Sequence, residues 1–394
     1  MQRSFHLLRH AAARHEVHLL ALHQPRLLPT ATGLATSVDA LSRLCESVRV
    51  IPIPAERSAY HRFLAAARSI ASDAPFDVTW LHSSAMQSAV TTSLDVGGID
   101  LVHVDTVGLW PYVSRPMCYP IVLGHHNIES GLIAQRAALE RRAWRAVLRR
   151  RDAAKLRALE DHASTHAAVN LVVSRLDADR LCTVAPGAVV EVVENGVDTD
   201  YWHPADDPGH GIVFVGTLGW HPNRDAVEFL LSEVWPVLSA NNRDRRLSIV
   251  GRDPPAAARA AAGDPRVQVT GFVPDVRPYL RAASIFVCPI RIGGGTRLKV
   301  LDALAMGKPL VATAVAVEGL ELTEGEHYLR AETAMEFVAQ IERLEQHPEL
   351  RRALGAAGRR RVTERHDWCV IGHQLDMAYA RAVAAPTVRP RAAV

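Results

Sequence analysis

The sequence predicts an α/β protein of two doubly wound domains, each a parallel sheet covered by helices on both faces. Three observations lead there. Short runs that are apolar throughout alternate with longer helical patterns along nearly the whole chain, as parallel strands buried on both faces require. These runs fall into two successive sets of five or six. The length of 394 residues suits two ordinary domains.

Taken in order, the chain opens in an amphipathic helix, because Phe5, Leu8 and Ala12 recur at helical spacing. Strands are predicted at 18–22, 49–53, 77–81, 101–104, 121–123 and 170–173, then at 212–215, 247–250, 267–270, 285–289 and 310–312. Around 196–211 the chain gathers Gly, Asp and Pro, which marks a boundary. The expected organisation is a first domain over 1–195 and a second over 196–366. A helix at about 367–384 would pack back on the first domain, and 385–394 would be a frayed tail. Ligands of such sheets sit beyond the carboxyl ends of the strands, so the expected site is a cleft faced by both domains.

The segment 136–157 reads as one long helix with nine basic residues against Glu140 and Asp152, a local charge of +7. Such a face is either simply solvated or drawn to an anionic surface or acceptor. Trp144 and Leu148, one turn apart, give it an apolar edge and favour peripheral contact with an anionic membrane.

Composition excludes several classes. Hydrophobic residues at 48% and charged residues at 22% rule out a disordered chain. A net charge of +3 is too balanced to imply nucleic acid. The five cysteines form no C-x-x-C pair, so no zinc or redox framework is expected, and they suit a reducing compartment. There is no apolar run long enough to span a bilayer, and residues 2–15 lack the apolar core of a signal peptide. The expected location is cytoplasmic, with peripheral contact at the inner face of the membrane. Lysine is scarce: Lys155, Lys299 and Lys308 stand against 42 arginines, a genome-composition effect that makes the position of each lysine worth following.

The segment with chemistry in it is IRIGGGTRLKVLDALAMGKP (290–309), where a strand runs into three glycines and then a helix. Glycines let backbone amides approach a ligand, and a helix N-terminus carries partial positive charge, so the pair suits a phosphate or diphosphate. Arg297 and Lys299 add full charges, and Asp302 can accept hydrogen bonds from a vicinal diol such as a ribose. After the strand at 121–123, the run GHHNIES (124–130) places His125 and His126 at a strand's carboxyl end, with Asn127 and Glu129 beside them. Adjacent histidines without a Cys or Asp cluster make a poor zinc site. Asn195 and Asp198 in ENGVD suit an Asx turn.

The chain resembles the GT-B retaining glycosyltransferases of family 4, the glycosyl transferases group 1. The glycine-loop segment looks like the donor-binding signature of that family. VENGVDTDYWHP (194–204), IVFVGTLGWHPNRDAVEFL (212–230), LSIVGRDP (247–254) and VQVTGFVPDVRPYLRAASIFVCP (267–289) follow the family in the same order. The likeness is dense over about 190–320 and thinner over the N-terminal half. It implies the GT-B fold, two Rossmann-like domains facing a cleft, and a hexosyltransferase-like, retaining and metal-independent enzyme without cofactor. The donor would be a nucleoside-diphosphate sugar and the acceptor a saccharide or lipid-linked hydroxyl in cell-envelope polysaccharide or glycolipid assembly. Asp302 would take the ribose, and Gly294, Gly295, Thr296, Arg297 and Lys299 would surround the diphosphate. Val273 would border the base, and the loop with Gly216 and Thr217 would face the phosphates. Arg297, Lys299 and His126, or less readily His125, would carry the chemistry.

Three features depart from the family pattern. Of two glutamates usually eight positions apart, Gly294 and Asp302 occupy the places. An Arg…Lys pair after the first C-terminal strand is replaced by Thr217 and Asn223. The family's opening strand and glycine-rich loop have no counterpart before the first helix, so the first domain is expected to lack them, with a start assigned too late as the favoured explanation. These departures keep two alternatives open: a non-catalytic nucleotide-sugar-binding protein and a nucleotide-sugar epimerase of similar fold. A dinucleotide dehydrogenase is disfavoured, since no G-x-G-x-x-G follows a first strand.

Overall fold

The computed structural model describes residues 2–25, 28–114, 119–138, 140, 142–205, 207, 209–293 and 295–385. The chain divides into two compact units. Unit 1 comprises Met1–Val193 with Gly372–Val394, and unit 2 is Glu194–Ile371.

In unit 1 the opening helix α1 (Gln2–Ala12) leads to β1 (His18–His23), which pairs in parallel with β2 (Ser47–Pro52). A second parallel sheet has the order β3 (Val102–Val104), β4 (Ile121–Gly124), β5 (Val169–Val172), β6 (Val190–Val192). Alternating helices include α2 (Ala59–Ala71), α3 (Phe76–Leu81), α4 (Glu129–Ala138) and α5 (Ala143–His166). Among the described residues the strands of this unit therefore form two sheets, not one continuous sheet. Strands β4 and β5 are buried along their whole length, whereas β1 stays half-exposed.

Two expectations are corrected here. The run 77–81 is the short helix α3, not a strand. Asp152 Oδ1 accepts the Phe76 N–H at 2.8 Å and Thr79 Oγ1 donates to the Phe76 carbonyl at 2.8 Å, so the helix ends find partners that a strand would not need. The segment 136–157 falls on two helices, α4 and α5, not one. The last helix, α8 (Trp368–Ala384), enters unit 1 from Gly372 onward. There Asp376 bonds His10 of α1 at 2.9 Å, and Tyr379 Oη meets His103 Nδ1 at 2.7 Å. A Cβ at Gly372 would lie 2.0 Å from His10 Nδ1, so a glycine is needed where α8 crosses α1.

Unit 2 is one six-stranded, wholly parallel sheet of β7 (Ile212–Val215), β8 (Leu247–Val250), β9 (Val267–Val269), β10 (Ile285–Cys288), β11 (Leu310–Ala312) and β12 (Leu329–Arg330). Its order is β12-β11-β10-β7-β8-β9, and its core includes the fully buried Phe214, Phe286 and Phe337. The chain starts in the middle at β7, winds outward through β8 and β9, then returns to β10 on the other side of β7. The strand order thus reverses between β7 and β10, and a crevice opens beyond their carboxyl ends. The loops leaving these two strands carry the glycines and cations singled out above.

Candidate anion site of unit 2 and histidine site of unit 1

After β10 the chain turns through Gly293, at φ +119°, and Gly295, at φ +75°, conformations that side chains with a Cβ rarely adopt. Gly294 lies outside the described residues. The helix α7 (Leu298–Ala305) then begins, and Gly307, at φ +66°, closes it with the left-handed cap that the sequence predicts. No acidic residue occupies its first turn.

Lys299 projects from that first turn. Its Nζ donates to Asn223 Oδ1 at 2.5 Å and sits 4.7 Å from the centre of the Phe214 ring. Asn223, on α6 (His221–Phe229), is 3% exposed and is oriented by donating its own Nδ2 to the Thr217 carbonyl at 2.8 Å. Gly216 makes this possible: a Cβ there would lie 2.6 Å from Lys299 Nζ and 2.9 Å from Asn223 Nδ2. Gly251, at φ +147°, serves the same loop, since its Cβ would fall 1.7 Å from the Gly216 carbonyl oxygen. The residue pair Thr217 and Asn223, which replaces a cationic pair, therefore acts as a neutral bracket for the lysine.

Burial pushes the Lys299 ammonium down to about 8, with Cys288 and Asp302 opposing the shift and Arg297 adding to it. Arg297 is 6% exposed and donates from Nη1 to the Gly295 carbonyl at 2.5 Å, which ties the guanidinium to the loop. Asp302, one turn after Lys299, is half-buried, and burial raises its carboxyl to about 8 against the pull of Lys299. Thr296 Oγ1 accepts a hydrogen bond from Asn195 Nδ2, so the ENGVD segment holds the glycine loop as well as turning. Asp198 Oδ1 accepts the Tyr201 N–H at 2.9 Å, three residues on, which is a cap-like bond in place of the expected Asx turn. Val273 packs half-buried at the edge of the same core, next to an exposed Phe272. Lys299, Arg297, Asp302, Gly216 and Thr217 thus share one end of the sheet. The bracketing by Asn223 and Asn195 was hidden from the sequence, because those residues lie 76 and 101 positions from their partners.

In unit 1 the two histidines part company. His125 is 3% exposed, and its Nε2 faces Asn170 Oδ1 at 3.0 Å. Asn170 Nδ2 already donates to the Ser164 carbonyl at 2.8 Å, so its Oδ1 accepts and His125 donates. Burial pushes His125 down to about 4, with the bond to Asn170 opposing, so it is a neutral residue of the core at neutral pH. His126 is partly exposed, and its Nε2 lies 3.3 Å from Asp105 Oδ1. Burial would raise the Asp105 carboxyl. Hydrogen bonds from His126 and Ser4, with the charges of His126 and His103, overcome that and hold it well below the usual carboxylate range. Asp105 follows β3, and Gly124 admits it: a Cβ at Gly124 would sit 2.9 Å from the Asp105 carbonyl oxygen.

Glu129 is raised to about 7, chiefly by burial and then by Asp77, while Thr106 donates to it at 3.1 Å. Glu129, Asp77, Trp80, Thr106 and Gln24 line a cavity of about 330 Å³ in unit 1. Beside them Asn127 Oδ1 is buried without a hydrogen-bond partner among the described residues. No group of three or more metal-ligating side chains occurs among the described residues.

A wholly parallel sheet with a glycine loop, two cations and a helix N-terminus at its switch point places the chain among the doubly wound α/β proteins equipped to hold an anion. The comparisons narrow the class. The family described as Glycosyltransferase Family 4 matches residues 3–201, half of the chain, and that described as Glycosyl transferases group 1 matches residues 209–347. The chain belongs to glycosyltransferase family 4.

A curated relative is the alpha-maltose-1-phosphate synthase of Mycolicibacterium smegmatis, 27% identical over 221 residues, which are 49% of this chain and 57% of that protein. The chain thus spans little more than half the length of that relative. Among solved structures, sucrose-phosphate synthase from Thermosynechococcus elongatus superposes with a TM-score of 0.66 at 18% identity, covering 94% of this chain and 100% of that one. Anabaena HepE in complex with UDP and glucose superposes with a TM-score of 0.64 at 12% identity, covering 96% of each chain. These likenesses establish the GT-B glycosyltransferase fold.

Proposed function

We propose that the protein moves a sugar from a nucleoside-diphosphate sugar to an acceptor hydroxyl, with retention at the anomeric carbon and without a metal. The observation that carries this reading is the Lys299 ammonium, held by a neutral amide beside Arg297 where the glycine loop enters α7. A half-buried cation whose hydrogen-bond partner is not a carboxylate favours an incoming anion, and the α7 N-terminus adds its partial charge. As the bond from the anomeric carbon to phosphate oxygen breaks, its electron pair passes to the diphosphate. Lys299, Arg297 and the α7 amides stabilise that growing charge while the acceptor oxygen bonds the carbon and its proton is released. Asp302 takes the ribose hydroxyls, Thr296 and Gly295 flank the diphosphate, and Val273 borders the base.

In unit 1 we assign His126, oriented by Asp105, to the sugar or acceptor, and the cavity at Glu129 to acceptor hydroxyls. His125 supports this loop from below. The bound UDP of HepE supports a nucleoside diphosphate as the donor's leaving part. The acceptor is a saccharide or a lipid-linked one in cell-envelope assembly, and the basic helix α5 brings the protein to an anionic membrane face.

The decisive experiment is a thermal-shift screen across UDP-, GDP-, ADP- and dTDP-sugars, followed by product analysis with and without acceptor. Stabilisation by one nucleotide series with transfer to acceptor is expected. Binding without transfer or hydrolysis would identify a non-catalytic binder, and sugar isomerisation with donor alone an epimerase.

A further inference from the structure

The cavity of unit 1 has two unlike walls. Phe76 and Trp80, one turn apart on α3, form the apolar one, their ring centres 5.6 Å apart and the rings inclined at 44°. The polar one is made by Asp77 of α3, Glu129 of α4, Thr106 and Gln24. Gln24 and Thr106 lie just beyond the carboxyl ends of β1 and β3, where parallel sheets present their ligand loops. At about 330 Å³ the space is at the small end for small-molecule pockets, so it suits one ring and not an extended chain.

The polar wall accepts more than it donates. The half-buried Asp77 carboxylate has no hydrogen-bond donor or ion-pair partner among the described residues. Glu129 receives one side-chain hydrogen bond, from Thr106 Oγ1 at 3.1 Å, which spends the proton of that hydroxyl. The Gln24 amide and the Trp80 indole N–H are the side-chain donors left, against two carboxylates. Around this pair Asp152 and Glu160 add negative charge, while Arg136 and His126 oppose it. No cationic side chain lines the cavity among the described residues. Burial, and then the Asp77 charge, raises Glu129 to about 7, a cost that a cation between the two would relieve.

We infer that this cavity takes an ammonium-bearing ring of the acceptor, an amino sugar or aminocyclitol, with the ammonium between Asp77 and Glu129 and the ring against Trp80 and Phe76. The inference rests on the assignment of the cavity to the acceptor and names the acceptor's chemical class. An ammonium brings three donors and no acceptor, the complement of this wall, and it is attracted to an aromatic face. A neutral hydroxyl would fill single lone pairs but leave two like charges without a counter-charge. A sugar phosphate or uronate would add further negative charge to the same space.

The test is calorimetric titration of the full chain at neutral pH with glucosamine, glucose, N-acetylglucosamine and ethanolamine. Glucosamine is expected to bind about tenfold or more tighter than glucose, the scale of one charge-assisted contact. N-acetylglucosamine keeps the ring without the charge and should bind no tighter than glucose. Ethanolamine keeps the ammonium without the ring and should bind about tenfold more weakly than glucosamine. Asp77→Asn should bring glucosamine down to the level of glucose, while stabilisation by UDP stays that of wild type. Absent glucosamine binding, equal binding of glucosamine and any of the other three by wild type, or a preference unchanged in Asp77→Asn, would overturn the inference; the wild-type comparison depends on no variant folding. Product analysis separates it from the transferase reading. Selective glucosamine binding with no transfer to any acceptor would sink that reading and leave the ammonium site standing, whereas transfer to neutral saccharides alone would overturn the inference.

Discussion

Lys299 is worth more to the protein as a held charge than as a flexible side chain. Lys299→Ala is expected to lower transfer about 10²-fold or more, the scale of losing one pre-positioned donor; near wild-type turnover would refute its role. Gly216→Ala should weaken UDP binding in calorimetry, because its methyl would occupy the space of the ammonium. The sign of the pH dependence follows from the same burial. A bound diphosphate favours the ammonium and so raises a group that sits at about 8 in the free protein. In an Asp302→Asn variant, which removes the carboxyl that is raised to about 8 and titrates in the opposite sense, UDP affinity should fall by up to about tenfold per unit as the pH rises above 8. For the histidine pair, the resonance of His125 should stay that of a neutral ring down to about pH 4, a prediction checked by NMR titration. The sequence displays both histidines and cannot part them: neighbours at a strand end point to opposite faces, and which face is core depends on Asn170 and Asp105, far away in the chain.

At the scale of elements, strands buried on both faces were legible because apolar residues fill almost all of their positions; β4, β5, β7 and β10 all lie within or against predicted runs, and the buried Asn170 of β5 is tolerated because its amide is hydrogen-bonded. The short strands β6 and β12 were missed. VEV and LR carry charged residues and sit at sheet edges, where one side needs no apolar cover. The run at 77–81 was misread because its three apolar residues, Val78, Trp80 and Leu81, fit either period, and Asp152, which caps the helix, is remote in sequence. The division of unit 1 into two sheets has its own signature. Amide exchange in β1 and β2 should be faster than in β4 and β5, since a half-exposed two-stranded sheet opens more easily than a buried four-stranded one. Equal protection would show that the two sheets open as one.

At the scale of the whole molecule, each unit has its own core, and the residues assigned to the diphosphate all belong to unit 2. Differential scanning calorimetry should therefore resolve two transitions, with UDP raising the one that belongs to unit 2 and leaving the other within error. The assignment of charge stabilisation to Arg297 and Lys299 also predicts that transfer survives EDTA at full rate; loss of activity restored by a divalent ion would overturn metal independence. That the proposed site, with its glycine loops after β7 and β10, would be sought at the carboxyl ends of parallel strands was readable from the alternation of elements alone. That a neutral amide and not a carboxylate would hold its lysine was not.

The scarcity of lysine becomes a handle for covalent chemistry. The Lys308 ammonium is enclosed by the carbonyls of Arg281 and Ala283, and that of Lys155 by the end of α2. Burial pushes Lys299 and Lys308 alike down to about 8, against about 10 for an ordinary lysine, but Lys308 is 4% exposed while Lys299 is only half-buried. With only three lysines in the chain, a succinimidyl ester should label Lys299 first, and protection of that residue by UDP would report occupancy of the proposed anion site.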